Sequence, residues 1–280
     1  MISQSEFPRN FSFEFSAPRT PEAVEKLSQV HKRLCEANPT FFSVTYGAGG
    51  STKDGTKQAV LAINQAGSDV APHLSFGSDE PEKIEALISE YKDAGIKRVV
   101  ALRGDVPSGT GSKSMRYASE LVRFIREKTG DHFTIDVAAY PEVHPDSKTV
   151  ESDLYYFKEK VEAGADGALT QYFYNADAYF RYIGQCEKLG INIPIVPGIM
   201  PITNYTNIVR FSEKCGADIP RWIRRQMESY GEDLDSQKAF SEEILTDLCQ
   251  RLLDGGAPGI HFYTLNQSLP SLRIWHNLSL

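Results

Sequence analysis

The sequence lacks three features that would place it in common functional classes: a long apolar run, a surplus of positive charge and closely spaced cysteines. No segment approaches the ~18 consecutive apolar residues of a membrane-spanning helix. The net charge of −7 comes without a basic stripe, which argues against a nucleic-acid-binding protein. The first residues contain no apolar signal core, so we expect a cytoplasmic protein. Four distant cysteines fit buried apolar positions better than disulfide, zinc or redox sites: Cys35, Cys186, Cys215 and Cys249.

The common nucleotide and metal motifs are missing as well. The glycine-rich segments that start at Gly47 and Gly109 lack the GK[ST] ending of a phosphate loop, and neither is the G-x-G-x-x-G turn of a dinucleotide-binding fold. No nucleophile-elbow serine and no HExxH zinc motif occurs. His73, Glu142 and His144 could meet at one end of a barrel, but their spacing is not that of a metal site, so we expect no metal.

Strand-like and helical segments alternate along the whole chain. The segments Pro21–Ala37 and Pro81–Ala94 repeat apolar residues with a helical period, and several helices end at a glycine. This alternation predicts an α/β fold, a (β/α)8 TIM barrel, as a single domain over residues 1–280. Two helical segments, Ile219–Tyr230 and Gln237–Leu253, predict an extra helix between strands 7 and 8. The eight strand-like runs are Phe11–Phe15, Phe41–Tyr46, Val70–Phe76, Arg98–Leu102, Phe133–Ala139, Gly167–Phe173, Ile193–Ile199 and Gly259–Thr264.

Polar residues stand at the ends of these runs, next to aromatic ones. The fourth run ends in Arg103, Gly104 and Asp105, a charged pair around a glycine. In a barrel, the carboxyl ends of all strands converge on one mouth, where ligands bind. Two of these candidates also fit structural roles: His73 as a hydrogen-bonded core histidine and Asp105 as a helix N-cap.

Glu14 stands out because it interrupts an apolar strand between Phe13 and Phe15. A carboxylate is costly to bury without a partner. An apolar environment favours the protonated form of a carboxyl group, which suits a proton donor near neutral pH. The alternative is a salt bridge between Glu14 and a lysine or arginine on the barrel floor.

Aromatic and charged side chains favour a large planar ligand across the barrel mouth. Asp153 and Lys160 share one face of a predicted helix, where one could bind a ribose hydroxyl and the other a pyrophosphate oxygen. A solvated helix face explains this pair about as well. The tyrosines available for stacking are Tyr46, Tyr117, Tyr140, Tyr172, Tyr205 and Tyr263.

The ordered motifs at the strand ends resemble those of the methylenetetrahydrofolate reductases, specifically the short bacterial form. The resemblance covers almost the whole chain and implies a barrel that binds FAD and reduces 5,10-methylenetetrahydrofolate to 5-methyltetrahydrofolate with NADH or NADPH. The motifs that carry it are Phe13-Glu14-Phe15, Ser43–Gly47, Ala71–Leu74, Leu102–Asp105, Ala139–Pro145, Thr170-Gln171, Pro197–Pro201 and His261–Asn266.

The resemblance also implies which residues form the site. Glu14 would protonate N10 of the folate so that the methylene bridge opens to an iminium. Asp105 would lie between flavin and folate, tune the flavin and stabilise the cation. The residues implied to face the substrate are Glu14, Asp105, Gln171, Tyr205 and Tyr263. Those implied to hold FAD are Thr45, His73, Arg103, Gly104, Asp105, Tyr117, Ala118, Tyr140, His144, Asp153 and Lys160.

Two positions depart from the family pattern. Tyr205 stands where relatives often have phenylalanine, and Gln267 stands where they often have an arginine that could hold the folate glutamate tail.

The resemblance implies that nicotinamide and folate use one flavin face in turn, with ping-pong kinetics and Tyr205 stacking on either ring. We expect a homo-oligomer; the sequence leaves open the choice between NADH and NADPH. Two other functions remain open: a flavin-free barrel lyase that uses Glu14 and His73, and a flavin-bearing subunit that needs a partner to supply electrons.

Overall fold

A closed barrel of parallel strands forms the centre of the protein. The computed structural model describes residues 2–46, 53–76, 81–104 and 117–278. All described strands pair in parallel, in the order β7-β6-β5-β4-β3-β2-β1-β9-β8. The strands are β1 (Asn10–Phe15), β2 (Phe41–Val44), β3 (Val70–Ser75), β4 (Arg98–Leu102), β5 (Thr134–Ala139), β6 (Gly167–Thr170), β7 (Ile195–Val196), β8 (Gly198–Ile199) and β9 (Gly259–Tyr263).

The seventh strand position of the barrel, which we call the seventh stave, is a strand interrupted at Pro197. Proline has no N–H to give to a strand ladder, so the predicted run Ile193–Ile199 is split into β7 and β8. β7 pairs with β6, whereas β8 pairs with β9. The Pro197 carbonyl still accepts a hydrogen bond from the His261 N–H at 2.9 Å. The two short strands therefore act together as one stave, which confirms the predicted (β/α)8 barrel.

Helices follow the strands and cover the outside of the barrel. The apolar stripe of α2 buries Leu27, Val30 and Leu34 as its period predicts, whereas Val24 is 44% exposed. A short 3-10 turn, Cys35–Ala37, follows this helix. The helices are α1 (Ile2–Ser5), α2 (Pro21–Leu34), α3 (Lys53–Gln65), α4 (Pro81–Asp93), α5 (Ala118–Thr129), α6 (Val150–Glu162), α7 (Ala176–Lys188), α8 (Tyr205–Cys215), α9 (Arg221–Tyr230), α10 (Leu234–Asp254) and α11 (Leu269–Asn277).

Three helices lie between β8 and β9, a stretch that is described throughout. The predicted pair corresponds to α9 and α10, and α8 precedes them. Sequence reasoning missed α8, although its ends carry clear signals. The Asn204 side chain caps it by accepting from the Asn207 N–H, and Gly216 ends it in a left-handed conformation. No helix in the described part of the chain is long and apolar enough to cross a membrane.

Side-chain alternation along the strands separates two packing regions. Phe13 and Phe15 belong to the large core between strands and helices, where Phe13 stacks on Phe262 and Phe15 stacks on Phe42. A smaller cluster comprises Phe41, Ala71, Val100, Leu169 and Val196, contributed by five strands. Successive strand residues point to opposite faces, so the neighbours of these core phenylalanines face the barrel interior.

Candidate active site

Glu14 faces two histidines in the barrel interior. Its Oε2 atom lies 3.4 Å from Nε2 of His73 on β3 and 3.6 Å from Nε2 of His261 on β9. The Glu14 side chain is 16% exposed, whereas both histidines are buried. Its backbone is fixed on both sides, because Glu14 is in register with Ser43 on β2 and with Tyr263 on β9. The carboxyl group is therefore held among buried imidazoles while keeping limited access to the mouth.

This geometry corrects the expected environment of Glu14. The flanking phenylalanines point outward to the helices and cannot desolvate its carboxyl group, because strand residues alternate between faces. The barrel does contain a salt bridge of the kind considered for Glu14, but it joins other residues. Arg98 Nη1 donates to Asp136 Oδ2 at 2.6 Å, and the Arg98 guanidinium lies 4.5 Å from the centre of the Phe41 ring.

Three of the seven buried polar side-chain atoms that have no hydrogen-bond partner in the described part of the chain belong to residues beside Glu14. They are Ser43 Oγ, from the residue in register with Glu14, and the Nε2 atoms of His73 and His261. The other ring nitrogen of His261, Nδ1, forms a 2.7 Å hydrogen bond with Ser12 Oγ. Burial lowers the pKa of His73, and His261 adds to this, while Glu14 opposes it. A neutral His73 with an open ring nitrogen beside a carboxyl group suits a polar ligand at the barrel mouth.

Tyr263 links β9 to β6 across the interrupted stave. Its hydroxyl donates to the Thr170 carbonyl at 2.6 Å, and the Thr170 hydroxyl accepts from the Gly198 N–H at 2.9 Å. Gly198 leaves the space for this arrangement, since a Cβ there would lie 2.5 Å from Tyr263 Cε2. The next residue after Thr170 is Gln171, whose backbone N–H donates to the Ala139 carbonyl at 2.8 Å. The Tyr263 hydroxyl thus reaches the residue before Gln171, at the carboxyl end of β6, as expected for residues of the mouth.

Tyr205 occupies the first position of α8. Its backbone N–H donates to Gln237 Oε1 at 3.1 Å, and its ring packs against the large core. Burial raises the pKa of its hydroxyl, and Glu228 on α9 adds to this, while Arg224 opposes it. The structure therefore places Tyr205 where the connection after β8 meets α9 and α10.

Charged residues predicted for a cofactor form a second cluster, beyond β4 and β5. Arg103 Nη2 donates to Asp146 Oδ2 at 2.5 Å, and the Asp146 N–H donates to His144 Nδ1 at 3.0 Å. The Tyr140 ring meets the His144 ring edge-to-face at a centroid distance of 4.5 Å. Burial lowers the pKa of His144, and the Arg103 guanidinium adds to this. These contacts bring Arg103, Tyr140 and His144 together.

Asp153 and Lys160 on α6 border the same cluster. The Asp153 carboxylate accepts from Ser147 Oγ at 2.9 Å, and Lys160 Nζ donates to the Ala138 carbonyl at 2.5 Å. Burial lowers the pKa of Lys160 to about 8, with Asp153 opposing and Arg103 adding to the shift. This corrects the alternative of a solvated helix face, because Asp153 is buried and Lys160 is half-buried.

The remaining predicted residues lie around these clusters. Tyr117 precedes Ala118 at the start of α5, and its ring stacks on Tyr156 at a centroid distance of 5.0 Å. Thr45 follows β2 and its hydroxyl accepts from the Ala17 N–H at 3.2 Å. Gly104 has φ of +81°, which favours glycine. Asp105 lies outside the described residues.

The residues present fit a dinucleotide-sized cofactor. Arg103 and Lys160 are cations suited to a pyrophosphate. Tyr117, Tyr140 and Tyr156 offer aromatic faces, and the Asp153 carboxylate can accept from ribose hydroxyls. No group of three or more His, Cys, Asp or Glu that could hold a metal ion occurs among the described residues.

Sequence reasoning missed several residues that the structure adds to these clusters. Ser12 contacts His261, a strand-end residue to which the sequence assigned no role, and Asp146 pairs with Arg103. The signal for Ser12 was available, because it stands two residues before Glu14 and therefore shares its strand face. Tyr156 shared a helix face with Asp153 and Lys160.

Fold and site together define a (β/α)8-barrel protein with an acid–imidazole site at the carboxyl ends of its strands and a cationic, aromatic cluster beside it. The family model described as "Methylenetetrahydrofolate reductase" matches residues 3–279. The chain belongs to the methylenetetrahydrofolate reductase family, which places it among the oxidoreductases of folate one-carbon metabolism.

Individual relatives agree with this assignment. The 5,10-methylenetetrahydrofolate reductase of Escherichia coli (strain K12) is 38% identical over 270 residues, which cover 96% of this chain and 90% of the relative. The enzyme of the same name from Buchnera aphidicola is 40% identical, covering 96% and 91%. "Methylenetetrahydrofolate reductase (NADH) 1" of Arabidopsis thaliana is 38% identical, and the match spans 96% of this chain but 48% of the plant protein.

A solved structure supports the fold. It is described as a protein from Clostridium thermocellum that binds two copies of 5-methyl-5,6,7,8-tetrahydrofolic acid, and it aligns with a TM-score of 0.69 at 16% identity. The alignment covers 97% of this chain and 94% of that one.

Proposed function

We propose that the protein is an FAD-dependent enzyme that reduces 5,10-methylenetetrahydrofolate to 5-methyltetrahydrofolate with NADH or NADPH as the electron donor. The observation that carries this proposal is the Glu14 carboxyl group, held 3.4 Å and 3.6 Å from two buried imidazoles inside the barrel of a reductase-family chain. We assign residues 1–280 to one catalytic domain.

Glu14 is the proposed acid. Opening the methylene bridge to an iminium requires a proton at N10 of the folate, and a positioned carboxyl group can supply it. His73 and His261 orient that carboxyl group from both sides, and Ser12 fixes the ring of His261 through its Nδ1. The Gln171 amide is suited to bind the pterin edge, and Asp105 is assigned to stabilise the cationic iminium.

The cofactor site proposed beside it uses Arg103 and Lys160 for the pyrophosphate and Asp153 for a ribose hydroxyl. Tyr117, Ala118, Tyr140 and His144 border the same site, whereas Thr45 and His73 lie at neighbouring strand ends. When bound, the flavin supplies reversible hydride transfer between the nicotinamide and the folate. The nicotinamide and the folate are proposed to use the same flavin face in turn, which gives ping-pong kinetics, with Tyr205 stacking on either ring.

An anaerobic two-step experiment tests this function. Purified protein reconstituted with FAD is mixed first with NADH or NADPH and then with 5,10-methylenetetrahydrofolate, while the flavin absorbance is followed. We expect bleaching in the first step and recovery in the second. Protein that binds no flavin would favour the barrel lyase, and flavin that neither nucleotide bleaches would favour a subunit that depends on a partner.

The same preparation addresses the other expectations. The names of the plant relatives include NADH, so we propose NADH as the first donor to test. Sedimentation velocity measures whether the protein is a homo-oligomer, and a cytoplasmic location stays a prediction.

Replacing Lys160 with methionine is expected to weaken FAD binding about tenfold at pH 7. In the wild type, affinity should fall as pH rises through about 8, since the amine then loses the charge that the pyrophosphate needs. Titration of flavin fluorescence from pH 7 to 9.5 measures both effects. Lys158→Met is the control, because Lys158 on the same helix pairs with Glu162 instead. An equal loss in both variants would contradict the assignment of Lys160.

A further inference from the structure

Glu142 is a half-buried carboxyl group for which the proposed chemistry has no role. It lies in the loop that joins β5 to α6, and its Oε2 accepts a 2.8 Å hydrogen bond from the backbone N–H of Asp218. The two residues are 76 positions apart in the chain. The bond therefore joins the loop after β5 to the turn that follows α8.

Two backbone features show that these segments fit closely. Gly216 has φ of +75°, and a Cβ at this position would lie 3.0 Å from Pro145 Cγ and 3.6 Å from the Val143 carbonyl oxygen. Val143 itself has φ of +74°, a conformation that a β-branched residue rarely adopts. Such a conformation persists only where the surroundings fix it. The contacts of Pro145 and Val143 with Gly216, in the turn after α8, can hold Val143 in this conformation.

The same loop carries residues of the proposed cofactor site. Tyr140 starts it, His144 packs edge-to-face on Tyr140, and Asp146 pairs with Arg103. Glu142 and Tyr140 also line a small cavity together with Gln171, a proposed substrate residue. Movement of this loop would shift Tyr140 and His144 and would change the wall of the cavity that Gln171 also lines.

We propose that Glu142 is a positioning residue, whose carboxyl group ties the loop after β5 to the turn after α8 and so holds Tyr140 and His144 in place for the cofactor. That this contact serves cofactor binding rests on the proposed function. The bond itself and its effect on the loop can be measured without cofactor.

The charges around Glu142 give this tie a defined pH dependence. Burial raises the pKa of Glu142 from its ordinary value of 4.5 to about 7; Asp218 adds to the shift, while Arg181 and the Asp218 N–H oppose it. Tyr172 and Cys215, from the segment after β6 and from α8, also line the cavity. Glu142 therefore binds a proton more tightly when the loop is held against the turn after α8 than when the loop is released. The free energy that holds the loop should decrease as pH rises from 4.5 to about 7 and change little above that.

Hydrogen exchange of the protein without added flavin tests the tie directly. The probes are the amide protons of Asp218 and of residues 142–144, 146 and 147, with rates normalised to the intrinsic rate at each pH. In the wild type, we expect protection from exchange to fall by at least about tenfold between pH 5 and 7. The largest possible fall is roughly 300-fold, set by the difference between the ordinary pKa of 4.5 and the raised pKa of about 7. Glu142→Gln keeps an acceptor without a charge, so the fall should be lost; because burial lowers the pKa of His144 in the same loop, protection in this variant should rise with pH instead.

Two further variants separate positioning from general stability. Asp218→Asn keeps the donating N–H but removes a nearby negative charge, so the fall in protection should move to lower pH. Glu213→Gln changes an exposed carboxyl group on α8 and should keep the wild-type profile. An unchanged profile in Glu142→Gln, or an unmoved one in Asp218→Asn, would overturn the proposal.

Flavin affinity provides the second measurement. FAD should bind the wild type more weakly at pH 7 than at pH 5.5, and Glu142→Gln should reduce that difference, leaving the part that comes from protonation of His144. A protein that binds no FAD at any pH would contradict the proposed function, but the exchange result would still stand. FAD binding with the same pH dependence in both proteins would instead contradict the role of Glu142.

Discussion

Glu14→Gln is expected to slow flavin reoxidation by 5,10-methylenetetrahydrofolate by a factor of about 10²–10⁴, the range that a general acid contributes. The reductive step with NADH or NADPH should change by less than about twofold, because hydride transfer from a nicotinamide needs no proton from this group. Glutamine has nearly the same shape as glutamate but cannot donate a proton as a carboxylic acid does.

Rapid mixing of each half-reaction measures the two effects separately. Glu25→Gln is a matched control, since Glu25 lies on the exposed face of α2 and its loss should leave both steps unchanged. Glu14→Asp keeps an acid and should recover part of the lost rate. Equal losses in both half-reactions would mean that Glu14 supports flavin binding or structure instead of donating a proton to the folate.

Gly198→Ala is expected to lower the free energy of unfolding by about 3 kcal/mol. The new Cβ would lie 2.2 Å from the Thr170 carbonyl oxygen and 2.5 Å from Tyr263 Cε2. The carbonyl cannot move easily, because it belongs to β6 and accepts the Tyr263 hydroxyl. Relief of the clash would require separating the broken stave from β6 at the point where both meet the site.

Thermal unfolding followed by circular dichroism, without cofactor, measures this loss. Gly184→Ala in α7 is the matched control: its Cβ would meet no atom within 4 Å, and alanine should stabilise the helix by about 0.5–1 kcal/mol. A Gly198→Ala protein that is as stable as the wild type would show that β8 can shift away from Thr170.

The sequence predicted the barrel well because its signals are local. Arg98–Leu102 is a strand with the same bounds in the structure, since an apolar, β-branched run has no competing helical period. The glycines after helices were also predictable: Gly95 and Gly164 have φ of +81° and +112°, which side-chain-bearing residues rarely adopt. The interruption of the seventh stave at Pro197 follows from the same local chemistry, although the run Ile193–Ile199 was predicted unbroken.

The environment of a side chain was harder to predict than its position. Phe13 and Phe15 are next to Glu14 in the chain, yet strand alternation turns them to the opposite face. The neighbours that matter, His73 and His261, come from strands about 60 and 250 residues further along and meet Glu14 only because the barrel closes. Likewise, nothing near Glu142 in the sequence indicates its bond to Asp218.

By itself, the sequence determined the alternation of strands and helices, the polar strand ends and the motifs of the reductase family. These depend on residue type, spacing and order, which are properties of the chain alone. Only the tertiary structure decided that Glu14 faces two imidazoles, that Arg98 instead pairs with Asp136, and that Arg103 meets Asp146. Closing the barrel brings distant strand ends within a few ångströms, and pairings at that range depend on side-chain direction and competing partners.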